Sequence, residues 1–226
     1  MISFRNVSYS YPNSSKKILA STSFDVPKGS FAVITGTTGS GKSTILRLLS
    51  CEAHAEVGQI LSGPFELISA KRSHIQAYRR TVGFIFQDFK LLEEKTAAEN
   101  IAFTLQVQRK FSSNEIAKKV DAILERVGIT DERDQFPREL SEGSKQRAAI
   151  GRALVGEPLL LVADDAASQL DDETASGIFS LLASEHIRGM TILLTTSSER
   201  FFPMFPRSAD YFELRSGAVQ KFLPVS

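Results

Sequence analysis

Residues 36–43 read Gly36-Thr37-Thr38-Gly39-Ser40-Gly41-Lys42-Ser43, the spacing G-x-x-x-x-G-K-[S/T]. Residue types in this order suit the binding of a nucleotide's phosphates. The glycines let consecutive backbone N–H groups turn inward around an anion, and a following helix N-terminus adds partial positive charge. Lys42 is placed to reach the β- and γ-phosphates as a point charge, and the Ser43 hydroxyl to hold Mg²⁺. The expected ligand of Gly36 to Ser43, with Thr44 beginning the next helix, is ATP or GTP.

Such a loop works only between a strand and a helix. The apolar run Phe31 to Thr35 precedes it, and the helical pattern Thr44 to Leu49 follows. Two later runs, Leu159 to Ala163 and Thr191 to Thr195, have the continuous apolar character of buried parallel strands. Ile2 and Phe4, then Ser23 to Val26 before the turn Pro27-Lys28-Gly29, predict antiparallel strands. A last hairpin is expected from Tyr211–Leu214 through Ser216-Gly217 into Val219–Phe222. Between Gln87 and Leu154 the pattern is helical. Ser112 and Glu115 form a capping box, Ile116, Val120, Ile123, Leu124 and Val127 recur at helical spacing, and Gly128 stands where a C-cap belongs. The expectation is a single α/β domain over residues 1–226, with a helical subdomain at about 88–150.

Composition narrows the class. A chain of 226 residues can bury a substantial core, and 42% hydrophobic with 23% charged residues is ordinary for a soluble globular protein. Lys+Arg of 27 against Asp+Glu of 26 gives +1, which argues against general attraction to nucleic acid or anionic lipid. One cysteine, Cys51, excludes an intramolecular disulfide and a cysteine zinc cluster. Met1 to Val7 lacks the regions of a signal peptide, and no apolar stretch reaches the ~20 residues of a membrane span. The chain is expected to be cytoplasmic, peripheral on the membrane's inner face only through a partner.

A second constellation follows the first. Leu140-Ser-Glu-Gly-Ser-Lys-Gln-Arg147 leads into the helical run Ala148–Leu154, and Asp164 closes an apolar strand seventeen residues after Arg147. Phosphate loop, glutamine loop, L-S-G-G-Q-like signature and acidic strand end, in this order from Tyr11 to the final hairpin, resemble the ATP-binding cassette (ABC) ATPases. The resemblance implies a P-loop NTPase fold with a parallel core sheet, an antiparallel β subdomain and a helical subdomain. It implies ATP and Mg²⁺ as cofactors. Tyr11 would stack on adenine, although the residue alone fits a core aromatic as well. Gln87 would touch Mg²⁺ and the attacking water, and Asp164 would order Mg²⁺ through water. Ser141 and Gly143 would approach the γ-phosphate of ATP held by a second subunit, and Ser168 to Asp171 would link the two sites. A head-to-tail homodimer or an ABC heterodimer follows.

Within that family, Arg79 to Leu92 is similar to the cell-division ATPases of the FtsE type, with lipoprotein-releasing and macrolide-export ATPases as near relatives. The implied partner is a transmembrane permease-like subunit, FtsX-type, whose cytoplasmic helix docks near Phe89, Leu91, Leu92 and Thr96–Phe103. ABC-type ATPases of DNA repair carry coiled-coil insertions or cysteine zinc modules that this sequence lacks.

Three motifs depart from the family pattern. The usual D-E-P-T is Asp164-Asp165-Ala166-Ala167, so the expected general base, Asp165, is one methylene shorter than glutamate. Ser197 takes the place of the histidine expected to contact the γ-phosphate. In the signature, Glu142 replaces glycine and Ser144 replaces glutamine. Lys42, Gln87, Asp165 and Ser197 are the candidate catalytic residues. The departures fall on the chemistry and leave the ATP cradle intact, which predicts slow or partner-dependent hydrolysis. The alternatives are a non-hydrolysing, ATP-gated scaffold and the degenerate half of a heterodimer.

Overall fold

An antiparallel pair with one wet face alternates buried and exposed residues. The computed structural model describes every residue except Asn13, Ser15, Val225 and Ser226. In it, β1 (Ile2–Ser10) and β2 (Lys17–Val26) pair antiparallel, with Phe4 opposite Phe24. There follow β3 (Phe31–Thr35), α1 (Lys42–Leu49), β4 (Val57–Ser62), β5 (Phe65–Glu66) and α2 (Arg72–Arg79). Strand β6 (Val82–Ile85) leads into three helices, α3 (Ala97–Gln108), α4 (Ser113–Val127) and α5 (Glu142–Leu154). The chain ends with β7 (Leu160–Asp164), α6 (Asp172–Ile187), β8 (Thr191–Thr196), β9 (Asp210–Arg215) and β10 (Ala218–Phe222).

The strands form two sheets, β2-β1-β4-β5 and β10-β9-β3-β8-β7-β6. In the larger sheet β9, β3, β8, β7 and β6 are parallel, and β10 closes the edge antiparallel. The two-residue period of its strands sorts side chains onto two cores. Phe31, Val33, Leu161, Ala163, Ile192 and Leu194 face α3, α4, α5 and α6. Ala32, Ile34, Leu160, Val162 and Leu193 face α1, Tyr78 of α2 and the antiparallel sheet. Burial on both faces explains why these strands are unbroken apolar runs in the sequence.

The α4 caps form as expected. Ser112 Oγ accepts from Glu115 N, Glu115 Oε2 accepts from Ser112 N at 2.8 Å, and Gly128 takes φ 72°. Boundaries shift elsewhere: α1 begins at Lys42 rather than Thr44, and Leu159, 61% exposed, stands outside β7. Cys51, just beyond α1, is buried, and burial pushes its thiol pKa up. It behaves as a small apolar residue.

A second capping box, Thr96 with Glu99, opens α3. One turn on, the fully buried Asn100 holds the preceding loop. Its Oδ1 accepts from Leu92 N at 2.8 Å, and its Nδ2 faces the carbonyls of Leu92, Lys95 and Thr96 at 3.1, 2.9 and 3.0 Å. Asn100→Ala strands a buried donor and several acceptors. It should cost about 3 kcal/mol of stability, measured by urea unfolding as a lower midpoint at unchanged slope.

Candidate nucleotide site

In open parallel sheets, ligands bind beyond the carboxyl ends of the strands. Four neighbouring strands here end at one edge. The glycine loop follows β3, Thr195 to Ser197 finish and leave β8, Asp164 and Asp165 finish and leave β7, and Gln87 is the second residue after β6. Topology alone thus gathers residues spread over 160 positions of sequence.

The loop needs its glycines. Gly41 has φ 111°, and a Cβ there would stand 2.6 Å from Ile18 Cγ2, while one at Gly36 would stand 2.6 Å from the Leu214 carbonyl oxygen. Lys42 is only 7% exposed, and its Nζ donates to the carbonyls of Gly36 at 2.7 Å and Thr37 at 3.0 Å. Burial pulls the ammonium pKa down, opposed by the negative charges of Asp165 and Asp164. Ser40 Oγ is buried without a hydrogen-bond partner. An ammonium lying across the loop, with an unpartnered hydroxyl beside it, fits a phosphate chain that accepts from both. Thr37, Thr38 and Gly39 are exposed at the rim.

The carboxylates are ordered by sheet register. Asp164 and Thr195 are paired neighbours on β7 and β8, and Thr195 Oγ1 donates to Asp164 Oδ1 at 2.6 Å. The next residue, Asp165, adopts φ 45°, a left-handed conformation that Asp tolerates better than most residues. Its amide donates to the Thr195 carbonyl at 3.0 Å. Ser197 Oγ donates to Asp165 Oδ2 at 3.2 Å, while Asp165 Oδ1 is buried with no partner. The structure therefore joins Ser197 to the expected base. No motif marks Thr195; its role depends on register.

Ser43, Gln87 and Asp164 line one cavity of about 490 Å³, together with Arg47, Glu52, Asp88 and Gln169. Hydroxyl, amide and carboxylate oxygens converging there match the hard-oxygen preference of Mg²⁺. These three are the residues that would hold it.

Tyr11 lies at the edge of the second core, half-buried, and lines a cavity of about 640 Å³ with Ser10, Arg47, His54 and Glu56. Its hydroxyl lies 2.8 Å from Thr44 Oγ1, Tyr9 meets it edge-on at 5.3 Å, and the Arg47 guanidinium stands 5.6 Å over one ring face. Held on three sides, the ring is a fixed platform tied to the phosphate helix.

Ser141 N-caps α5, its Oγ accepting from Ser144 N at 3.0 Å. Glu142 pairs with Lys145 at 2.7 Å along the helix surface, which neutralises the extra signature charge. Ser141 and Gly143 line a separate cavity with Asp171 and Thr174. Within one chain the structure does not bring them to Lys42. Of the expected docking residues, Ala97 and Ile101 are buried in the first core, and Leu91, partly buried, packs against it. Phe103 (39% exposed) faces outward, with Val107 (55%), into a groove of about 400 Å³ bounded by Gln76, Arg79, Arg80 and Val82.

Residues 19–168 match the family model for the ABC transporter. The chain is 37% identical over 196 residues to the cell division ATP-binding protein FtsE of Mycobacterium tuberculosis, covering 87% of this chain and 85% of the relative. It is 38% identical to FtsE of Streptococcus pneumoniae, covering 88% and 86%. It is also 38% identical to the methionine import ATP-binding protein MetN of Mannheimia succiniciproducens, over 87% of this chain, and spans 57% of that protein's length. Among solved structures, the dimeric post-hydrolysis ATP-binding cassette MJ0796 with ADP and Pi superposes over the whole of both chains, with a TM-score of 0.88 at 26% identity. No helix among the described residues is long and apolar enough to cross a membrane.

Proposed function

Since this chain belongs to the ABC transporter ATP-binding family, we propose that residues 1–226 act as one ATPase domain, slow in isolation, that serves a membrane-spanning partner. The observation that carries this reading is the Asp165 carboxylate. Its Oδ2 accepts from Ser197 at the exposed edge of the site, and its negative charge acts on the Lys42 ammonium. A carboxylate oxygen held at that edge suits a water molecule that attacks the γ-phosphorus in line.

In this mechanism Lys42 draws charge from the γ-phosphoryl oxygens and Gln87 orients the water. Asp165 accepts its proton, and Ser197 keeps the carboxylate aimed. Ser43, Gln87 and Asp164 would hold Mg²⁺, which would supply neutralising charge to the phosphates. Ser141 and Gly143 of a second copy complete the donor set, a hydroxyl and an amide at a helix N-terminus. A base set back by one methylene slows the step, since misplacement by about 1 Å can cost on the order of 100-fold.

The deciding experiment is single-turnover hydrolysis of Mg-ATP with protein in large excess and Lys42→Ala as the blank. Turnover above the blank supports an ATPase. ATP bound without turnover favours the second reading, an ATP-gated scaffold, for which the favouring observation is that Asp165 Oδ1 is buried away from any water. A distinct ABC chain in the purified complex would instead mark a heterodimer.

For the partner, the groove between α2 and α3 offers an apolar wall, Phe103 and Val107, facing Arg79 and Arg80. It suits a cytoplasmic helix of a permease-like, FtsX-type subunit, which would hold this chain at the inner membrane face. Phe103→Asp should cut co-purification with that subunit at least tenfold and leave single-turnover hydrolysis by the free chain unchanged.

A further inference from the structure

Helix α5 runs from the signature cavity to the glutamine loop: Ser141 caps its start, and about three turns later Arg152 extends toward Phe89 and Lys90. Arg152 Nη2 donates to the Phe89 carbonyl at 2.6 Å, and Nη1 donates to the Lys90 carbonyl. Phe89 and Lys90 are both left-handed, with φ 55° and 48°. That backbone is unfavourable for residues with a Cβ, and two in succession persist only where the surroundings impose them. Two adjacent carbonyls facing one planar guanidinium are such an imposition, because the fork satisfies both at once.

The other contacts of the segment are consistent with a loop held from outside. Thr104 Oγ1 of α3 donates to the Arg152 carbonyl at 3.1 Å, tying the two helices together behind the fork. Lys90 Nζ rests 4.0 Å from the centre of the Phe86 ring. Downstream, Asn100 gathers Leu92, Lys95 and Thr96. Gln87 therefore sits between the end of β6 and a turn whose shape α5 dictates.

We propose that Arg152 is a positioning residue: its guanidinium fixes the left-handed turn at Phe89–Lys90 and so sets how far Gln87 reaches into the Mg²⁺ cavity. This rests on the assignment of Gln87 to Mg²⁺ above, so the test separates the two.

Arg152→Lys keeps the charge but cannot fork across two carbonyls. Hydrogen exchange at the amides of residues 87–92 should accelerate at least tenfold, with α3 and α5 protected as before. The Mg²⁺ concentration for half-maximal single-turnover hydrolysis should rise several-fold at unchanged ATP affinity. Adding Lys90→Gly, which accepts φ 48° freely, should recover at least half of that shift. Wild-type protection at 87–92 overturns the proposal. So does an unmoved Mg²⁺ half-point when Gln87→Ala does move it. Uniform loss of protection, or failure of Arg152→Lys to fold, overturns it in favour of a merely structural arginine. If Gln87→Ala leaves the Mg²⁺ dependence unchanged while Arg152→Lys loosens the loop, the assignment of Gln87 fails and the bracket stands.

Discussion

Asp165→Asn should lower the single-turnover rate of Mg-ATP hydrolysis by roughly 1,000-fold, the middle of the range for loss of a general base, while ATP stays bound. The amide keeps the left-handed turn at φ 45° and can still accept from Ser197, so geometry is conserved and proton acceptance is lost. Asp165→Glu tests the converse. It restores the reach of the family's usual base, but at a left-handed position that disfavours the longer side chain by about 1 kcal/mol, and it forfeits the Ser197 contact. The expected gain is therefore about tenfold rather than the ~100-fold that reach alone would give. A rate no higher than the parent's, assayed with the membrane partner present, would remove the short Asp165 side chain as a limit on the proposed hydrolysis. Ser197→Ala separates aim from basicity: it should lower the rate less than Asp165→Asn does, with affinity intact.

Lys42→Ala should weaken ATP binding by roughly 300-fold. Two charge-assisted hydrogen bonds contribute about 1.5–3 kcal/mol each, partly offset by water entering the gap. Without nucleotide the Lys42 ammonium already spends its donors on Gly36 and Thr37. The binding energy is thus a difference between phosphate and carbonyl acceptors, which keeps the loss below the sum. Thermal denaturation gives the readout. Saturating ATP should raise the Tm of the parent and leave that of Lys42→Ala almost unmoved at the same concentration, because stabilisation follows the ratio of ligand to Kd. A variant stabilised as much as the parent would place the nucleotide elsewhere.

Much of this arrangement is legible in the residues alone, for identifiable reasons. The phosphate loop is local, with strand, glycines and helix within twenty residues. The caps of α4 are local too, since Ser112, Glu115 and Gly128 act through their own backbone neighbourhood. Strands β3, β7 and β8 betray themselves because both faces are buried. Strand β4 does not: Val57-Gly-Gln begins with three exposed residues, and Gly58 lies where a Cβ would meet the β1 backbone at 2.6 Å. Helix α6 escapes because Gly177 and several small residues blur its period, although Ile178, Phe179 and Leu182 are buried. The Thr195–Asp164 bond and the Arg152 fork are invisible for a different reason. Each joins residues 31 and about 62 positions apart through register or helix placement, and nothing in the intervening sequence encodes a distance. The docking residues are less legible still, because Ile101 and Phe103 are both apolar and only packing buries one and exposes the other.

The separation of Ser141 from Lys42 within one chain has a kinetic consequence on the proposed reading. A lone molecule holds one half of each of two reaction centres, so turnover in dilute solution grows as the square of chain concentration. A tether that keeps two copies adjacent replaces bulk concentration with a local one on the order of millimolar. The rate is then governed by stoichiometry at the membrane, and expressing more of the free chain adds little.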